Sequence, residues 1–229
     1  MIEFRNVVLQ YHYDEFTLLK GVSFTLRDGV NTVLADTQSG KSSICKLLCK
    51  EVAANSGEIL IDGLEIKSIT SADLGILYLP SKPTFFENRS ARFNVEYPLK
   101  VRKVARADRQ RIAEQVASSM GIDFLDVKVK KLTAEQRKLV ALARGLTVER
   151  KIVLFDDFFN LDGDGSLAYV DSVLDKFKNA TCVILSSDTR LAMGNVTVLD
   201  GGVAVYEGNS DGAKSAVDGL SWLYGNIEE

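Results

Sequence analysis

The segment with the clearest chemistry runs from Ala35 to Ser42 and reads Ala-Asp-Thr-Gln-Ser-Gly-Lys-Ser. A loop of this kind binds phosphate because successive backbone N–H groups and the start of a helix face the anion. In this pattern the lysine supplies a positive charge, and the hydroxyl of Ser42 is a predicted magnesium ligand. The residues predicted to bind phosphate are Gln38, Ser39, Gly40, Lys41, Ser42 and Ser43.

The opening of this loop departs from the usual pattern. Ala35 stands where a glycine is usual, and a Cβ there costs about 1–2 kcal/mol if the position needs a positive φ. Asp36 adds a carboxylate close to the predicted phosphates. We therefore expect phosphate binding to be weakened rather than abolished.

A second candidate site lies at the end of the apolar run 152–155, where Asp156 and Asp157 follow each other. A buried strand that ends in two carboxylates can hold a metal ion with the first and polarise a water molecule with the second. The alternative is a buried strand that ends in a solvated acidic turn. Together with the phosphate loop, the pair predicts Asp156 as a magnesium ligand and Asp157 as a catalytic candidate.

The surrounding pattern predicts elements that could position both segments. An apolar strand over 31–34 runs into the phosphate loop, and Ile44, Leu47, Leu48 and Val52 follow at helical spacing. Unbroken apolar runs at 151–155 and 182–185 suit parallel strands that are covered on both faces. A helix is expected between them over 167–177. Further strands are predicted at 3–9, 22–26, 57–63, 74–79, 196–199 and 203–206, the last two as a terminal hairpin.

From about residue 90 to residue 150 the pattern becomes helical and rich in Lys, Arg, Ala and Gln, which predicts a helical subdomain within a single domain of residues 1–229. The basic run 100–106 is interpreted as the solvated face of a helix, with a docking surface as the alternative. Cys45 and Cys49 share a helix face and are expected in the core, because two ligands are too few for zinc. A last helix should carry Trp222.

Composition excludes several classes of protein. The net charge of −3 and the pI near 5.4 argue against a nucleic-acid binder. No apolar run reaches the roughly 20 residues needed to span a bilayer as a helix. Three cysteines and a charged N-terminus without a leader indicate a reducing compartment, with the cytosol as the expected location.

Several further motifs follow the phosphate loop and the acidic pair in a characteristic order. They are the segments 94–99, 132–137, 140–146, 160–162 and 198–202, with Tyr11 after the opening strand. In this order the chain resembles the importer-like nucleotide-binding subunits of ATP-binding cassette (ABC) transporters along nearly its whole length. The resemblance implies an α/β P-loop NTPase core of ABC type with an N-terminal antiparallel β subdomain and a helical subdomain.

The resemblance also implies ATP and Mg2+ as cofactors, with Tyr11 stacked on adenine. Its partners would be membrane-spanning transporter subunits and a second ABC subunit, in a homodimer or a heterodimer. In such a head-to-tail dimer, Thr133 of one subunit contacts the γ-phosphate held by the other. The chain would then lie in the cytoplasm, peripheral at the inner face of the membrane.

The residues that drive hydrolysis in this family are altered here. Ser81, at the Q-loop position by a gapless count back from 98–99, is too short to reach metal and water, and Ser187 replaces the switch histidine. Asp157 is one methylene shorter than the family's glutamate. Glu135 replaces a glycine, and a carboxylate about 4 Å from a phosphate charge costs about 4 kcal/mol at an effective dielectric of 20. The chain's only histidine, His12, is distant in sequence and is interpreted as a surface residue.

Two functions remain open from the sequence. The first is an ATP-binding transporter subunit, in one form the degenerate half of a heterodimer, with hydrolysis that is slow or lost. The second is a non-catalytic interaction module with the ABC fold that no longer binds nucleotide. A role in DNA repair or translation is disfavoured, because the sequence has no coiled-coil insertion, second cassette or basic stripe.

Overall fold

A computed structural model describes residues 1–11, 17–36, 39–161, 166–218 and 220. These form two compact units, one from Met1–Tyr78 and Lys151–Glu229 and the other from Leu79–Arg150. The sequence predictions for His12, Gln38, Asp162 and Trp222 lie outside the described residues.

The elements of the described residues have the following bounds. The strands are β1 (Ile2–Gln10), β2 (Thr17–Leu26), β3 (Val30–Ala35), β4 (Ser56–Ile61), β5 (Leu64–Glu65), β6 (Ile76–Pro80), β7 (Ile152–Asp156), β8 (Thr181–Ser186), β9 (Asn195–Asp200) and β10 (Val203–Gly208). The helices are α1 (Lys41–Leu48), α2 (Ser71–Leu74), α3 (Ala91–Val101), α4 (Arg106–Ser119), α5 (Ala134–Leu146), α6 (Leu167–Lys176) and α7 (Ser210–Val217). None of the helices in the described part of the chain has the length and apolar composition needed to cross a bilayer.

The first unit opens with an antiparallel sheet in the order β2-β1-β4-β5. Alternate residues of β1 face the core, so that Ile2 and Phe4 are buried, and the Phe4 ring stacks on Phe24 with 4.4 Å between centroids. This burial of one face is the arrangement that alternating polarity favours. The predicted N-terminal antiparallel β subdomain is confirmed.

A six-stranded sheet with the order β10-β9-β3-β8-β7-β6 forms the centre of the first unit. Strand β3 pairs in parallel with β8 and β9, and β7 pairs in parallel with β8. Every residue of β7 is buried, as expected for a strand covered on both faces. Because parallel strands end at the same edge of a sheet, the residues after β3, β7 and β8 lie along one edge, which is where ligands bind in open α/β sheets.

The two faces of this sheet bury different residues. On one face, Ile44 and Leu48 of α1 pack into the main core together with Cys45, and Cys49 packs against its margin. On the other face, Leu34 lies in a smaller cluster with residues of β9 and α7. The cysteines therefore take the core positions that their helical spacing predicts.

The second unit has its own helical core. Helix α3 packs against α4 and α5, and its buried Asn94 accepts a hydrogen bond from the backbone N–H of Phe86 at 2.9 Å. The basic run 100–106 does not form one helix face, so that prediction is wrong. Helix α3 ends at Val101 and α4 begins at Arg106, with Lys103 at a φ of 58° between them.

The strand predicted from residue 74 begins two residues later. Thr70 caps α2 by accepting a hydrogen bond from the N–H of Asp73, which draws Leu74 into the helix. Gly75 then ends the helix, and β6 starts at Ile76. The first residues of an apolar run whose pattern predicts a strand therefore belong to a capped helical turn.

The predicted terminal hairpin is confirmed by the antiparallel pair β9 and β10.

We expect Gly194→Ala to destabilise the first unit more than Gly201→Ala. Both glycines have a positive φ, 66° and 53°, so both substitutions carry backbone strain. A Cβ at Gly194 would lie 1.9 Å from the carbonyl oxygen of Val30, whereas one at Gly201 would meet nothing within 4 Å. The expected difference in the free energy of unfolding is about 1–3 kcal/mol, the usual cost of overpacking. Urea denaturation measures it, and equal losses in the two variants would contradict the clash.

Candidate phosphate and metal site

The phosphate loop connects the end of β3 to the start of α1, which confirms the predicted order of strand, loop and helix. Gly40 is the N-cap of α1 with a φ of 91°, and no side chain in the described residues caps this helix. The N–H groups of Lys41 and Ser42, at the start of α1, are thus not occupied by a side chain of the described residues and can bind an anion. The hydroxyl-bearing residues Ser39 and Ser42 lie beside them, with Ser42 exposed.

Ala35 does not carry the strain that its Cβ suggested. It is the last residue of β3, pairs in parallel with Leu199 and is fully buried in the main core. Its φ is not in the left-handed region. The prediction of a backbone penalty at this position is therefore wrong, and the alanine methyl contributes to core packing instead.

Lys41 is buried, with only 5% of its surface exposed. Its ammonium donates hydrogen bonds to the carbonyl oxygens of Ala35 at 2.7 Å and Asp36 at 2.9 Å. Burial lowers the pKa of Lys41, and the negative charges of Asp157, Asp36 and Asp156 oppose that shift. One ammonium therefore lies within the electrostatic reach of three carboxylates, and the carboxylates are in excess.

Asp156, at the end of β7, has one satisfied and one unsatisfied carboxylate oxygen. Its Oδ2 accepts a hydrogen bond of 2.7 Å from the phenol of Tyr78. Its Oδ1 is buried and has no hydrogen-bond partner among the described residues. A buried oxygen without a partner costs about 1–3 kcal/mol or more when charged. A hard cation such as Mg2+, which prefers carboxylate oxygens, would satisfy it.

Asp157 has a backbone conformation that is uncommon for a residue with a side chain. Its φ is 45°, and its N–H donates to the carbonyl oxygen of Leu185 at 2.9 Å. Aspartate and asparagine are the residues other than glycine that adopt this conformation most readily. Partial burial of the carboxyl raises its pKa, the charge of Lys41 opposes the rise, and Asp156 adds to it.

Tyr11 lies beside the first turn of α1. Its phenol and the hydroxyl of the buried Ser43 are 3.1 Å apart, and the Lys46 ammonium is 5.9 Å from the centroid of the Tyr11 ring. The structure thus brings Tyr11 to the helix that follows the phosphate loop. Its role on adenine stays a prediction.

Thr133 belongs to the second unit, where it is the N-cap of α5. Its hydroxyl accepts a hydrogen bond from the N–H of Gln136 at 3.3 Å, and the Gln136 side chain accepts one from the N–H of Thr133 at 3.0 Å. Glu135 is exposed in the first turn, where a helix favours negative charge. Hydrogen bonds from its own backbone N–H and from Thr133 lower the pKa of Glu135. The altered signature segment is therefore a well-formed capping box.

The other two altered positions are exposed. Ser81 follows β6 in the second unit, and Ser187 follows β8 in the first. Next to Ser187, the buried Ser186 hydroxyl accepts a hydrogen bond of 3.0 Å from the N–H of Asp188. Neither serine carries a side chain long enough for the metal and water contacts expected at these positions.

The sequence reasoning missed Tyr78 as a member of the site. This residue appeared only as part of an apolar strand, between the buried Leu77 and Leu79. One signal could have found it, because a tyrosine within an apolar strand needs a partner for its phenol. The carboxylate of the neighbouring strand β7 is that partner.

Comparisons with known proteins identify relatives of this chain. A family model described as ABC transporter matches residues 19–160, which is more than half of the chain. The molybdate/tungstate import ATP-binding protein WtpC of Thermococcus kodakarensis is 32% identical over 153 residues, or 66% of this chain and 46% of that protein. WtpC of Pyrococcus horikoshii is 31% identical over 153 residues, or 66% of this chain and 44% of that protein. The chain thus spans less than half the length of these two relatives.

Two further comparisons extend the match. The sn-glycerol-3-phosphate import ATP-binding protein UgpC 1 of Rhizobium johnstonii is 27% identical over 199 residues, which are 83% of this chain and 54% of that protein. The fold is also similar to the structure of a bacterial Atm1-family ABC exporter with ATP bound. The match covers 100% of this chain and 42% of the exporter chain, with a TM-score of 0.79 and 23% sequence identity. That structural likeness confirms the fold class. Taken with the family match, these observations establish that the chain belongs to the ABC transporter family.

Proposed function

We propose that this chain is an ATP-binding subunit of an ABC-type transporter that binds ATP with Mg2+ at the phosphate loop and hydrolyses it slowly or not at all. The observation that carries the proposal is the buried, unsatisfied Oδ1 of Asp156, close enough to the loop for the carboxylate to act on the charge of Lys41. A metal–phosphate site is what these groups fit best.

Each residue of the site has a role in this proposal. The first amides of α1 and the ammonium of Lys41 bind the phosphates, while Ser42 and Asp156 hold the metal. Magnesium, when bound, neutralises negative charge on the phosphate oxygens. The excess of carboxylates over Lys41 means that ATP alone meets a repulsive site. Nucleotide binding should therefore depend strongly on the metal.

The proposed partners are supported by the relatives, which are import ATP-binding proteins by name. We infer an importer-like subunit that couples nucleotide binding to membrane-spanning subunits from the cytoplasmic face of the membrane. To enclose the nucleotide between two subunits, a second ABC subunit would be required. That subunit would present its counterpart of Thr133 to the phosphates. A partner with an intact signature segment favours closure more than a second copy of this chain does, because Glu135 opposes it.

A calorimetric titration of the purified chain with magnesium-ATP tests the proposal. We expect saturable binding at millimolar nucleotide or below, and weaker binding when EDTA removes the metal. Magnesium-AMP, which lacks the β- and γ-phosphates, is the control and should bind far more weakly. No binding at millimolar magnesium-ATP would refute the proposal and favour an interaction module that has lost nucleotide.

A further inference from the structure

We propose that Tyr78 is a positioning residue for the metal, because its phenol holds the Asp156 carboxylate by Oδ2 and reserves Oδ1 for the cation. The inference rests on the proposed function, since it concerns the same metal-nucleotide site. It adds a member to that site that neither the phosphate loop nor the acidic pair includes.

The geometry of the pair supports this role. Tyr78 lies on β6 and Asp156 ends β7, the neighbouring strand of the six-stranded sheet. The phenol donates to Oδ2 at 2.7 Å, a short distance typical of hydrogen bonds to a charged acceptor. An ordinary phenol is protonated near neutral pH, so the Tyr78 hydroxyl can act as this donor.

The hydrogen bond makes the two oxygens of Asp156 inequivalent. Oδ2 is occupied by the phenol, while Oδ1 is buried and unpartnered in the described residues. Because the bond holds one oxygen in place, it fixes the orientation of the carboxylate and therefore the position of the oxygen that is left over. Groups that orient a metal ligand in this way commonly change metal affinity by 10- to 100-fold when they are removed.

A purely structural role for the phenol predicts a different result. Loss of a hydrogen bond that only stabilises the fold would lower stability and leave the response to magnesium unchanged. The two roles can therefore be separated by comparing nucleotide affinity with magnesium and with EDTA. The difference between these conditions isolates the contribution of the metal.

The test variant is Tyr78→Phe, which removes the hydroxyl and keeps the ring. We expect the magnesium-dependent gain in ATP affinity, measured by calorimetry, to fall by about 10-fold, while the affinity in EDTA stays the same. Tyr206→Phe is the matched control, because the phenol of Tyr206 on β10 also donates a hydrogen bond, to the carbonyl oxygen of Asn209 at 3.0 Å. Its magnesium response should equal that of the native chain. Binding of Mn2+ in the presence of ADP, followed by electron paramagnetic resonance, should show the same order of variants.

A double variant tests whether Tyr78 acts through Asp156. In an Asp156→Asn background the metal ligand is lost, so Tyr78→Phe should cause no further fall in the magnesium response. Additive losses would overturn the inference, as would a normal magnesium response in Tyr78→Phe or an equal loss of affinity in EDTA. A native chain that binds ATP without any magnesium response would overturn it as well, and a native chain that binds no ATP would refute the proposed function itself.

Discussion

Lys41→Met will remove most of the stabilisation that magnesium-ATP gives to the native chain. The variant loses the charged donor of the phosphate loop, and hydrogen bonds to charged groups contribute about 1.5–3 kcal/mol, or roughly 10²-fold in affinity. A ligand present at about 100 times its dissociation constant stabilises a protein by about 2.7 kcal/mol. A 10²-fold loss of affinity would leave only about 0.4 kcal/mol of stabilisation at the same nucleotide concentration. Urea denaturation with and without magnesium-ATP measures both values.

Without nucleotide, the same variant should be less stable than the native chain. The buried Lys41 ammonium donates to two backbone carbonyls and lies within the electrostatic reach of three carboxylates. Removing one partner of such an arrangement is destabilising, because it leaves the opposite charges uncompensated. Lys50→Met is the matched control. The Lys50 ammonium also donates to backbone carbonyls, at 2.8 Å to Ile69 and 3.4 Å to Lys67, but outside the phosphate loop. A full ATP-dependent shift in Lys41→Met would contradict the assignment of the loop.

ATP turnover by the native chain is expected to be at least about 100-fold slower than that of a family member with intact motifs. Asp157 carries its carboxylate one methylene closer to the backbone than a glutamate would, and a misplacement of about 1 Å can cost 10²-fold in rate. Ser81 and Ser187 cannot replace the longer side chains expected at their positions. Phosphate release at saturating magnesium-ATP measures the rate, with Lys41→Met as the background. A rate within about tenfold of the intact enzyme would show that these substitutions are compensated.

The elements around the phosphate loop were predictable because their signals are local. The apolar run that becomes β3 leads directly into Gly40 and Lys41, and Ile44 and Leu48 repeat at helical spacing. The hairpin of β9 and β10 was predictable for the same reason, because a Gly-Gly turn separates two apolar runs. The start of β6 was not, since Leu74 belongs to a short helix that Thr70 caps and Gly75 ends.

The candidate site was predictable only in part. The positions of Lys41, Ser42 and Asp156 follow from residue type and spacing, although their roles in binding stay predictions. The lack of strain at Ala35 could not be foreseen, because it depends on pairing with Leu199 in a distant strand. The contact of Tyr78 with Asp156 depends on the order of strands in the sheet, which sequence spacing does not encode.

The backbone at Asp157 also bears on how a glutamate could come to stand at this position. One nucleotide change converts an aspartate codon into a glutamate codon, so the residue itself is within reach of a single mutation. At a φ of 45°, however, a longer side chain meets a left-handed penalty of about 1–2 kcal/mol that aspartate tolerates more readily. A glutamate here must therefore bear that strain or be accompanied by a change in the turn after β7, a cost that the backbone sets and the genetic code does not.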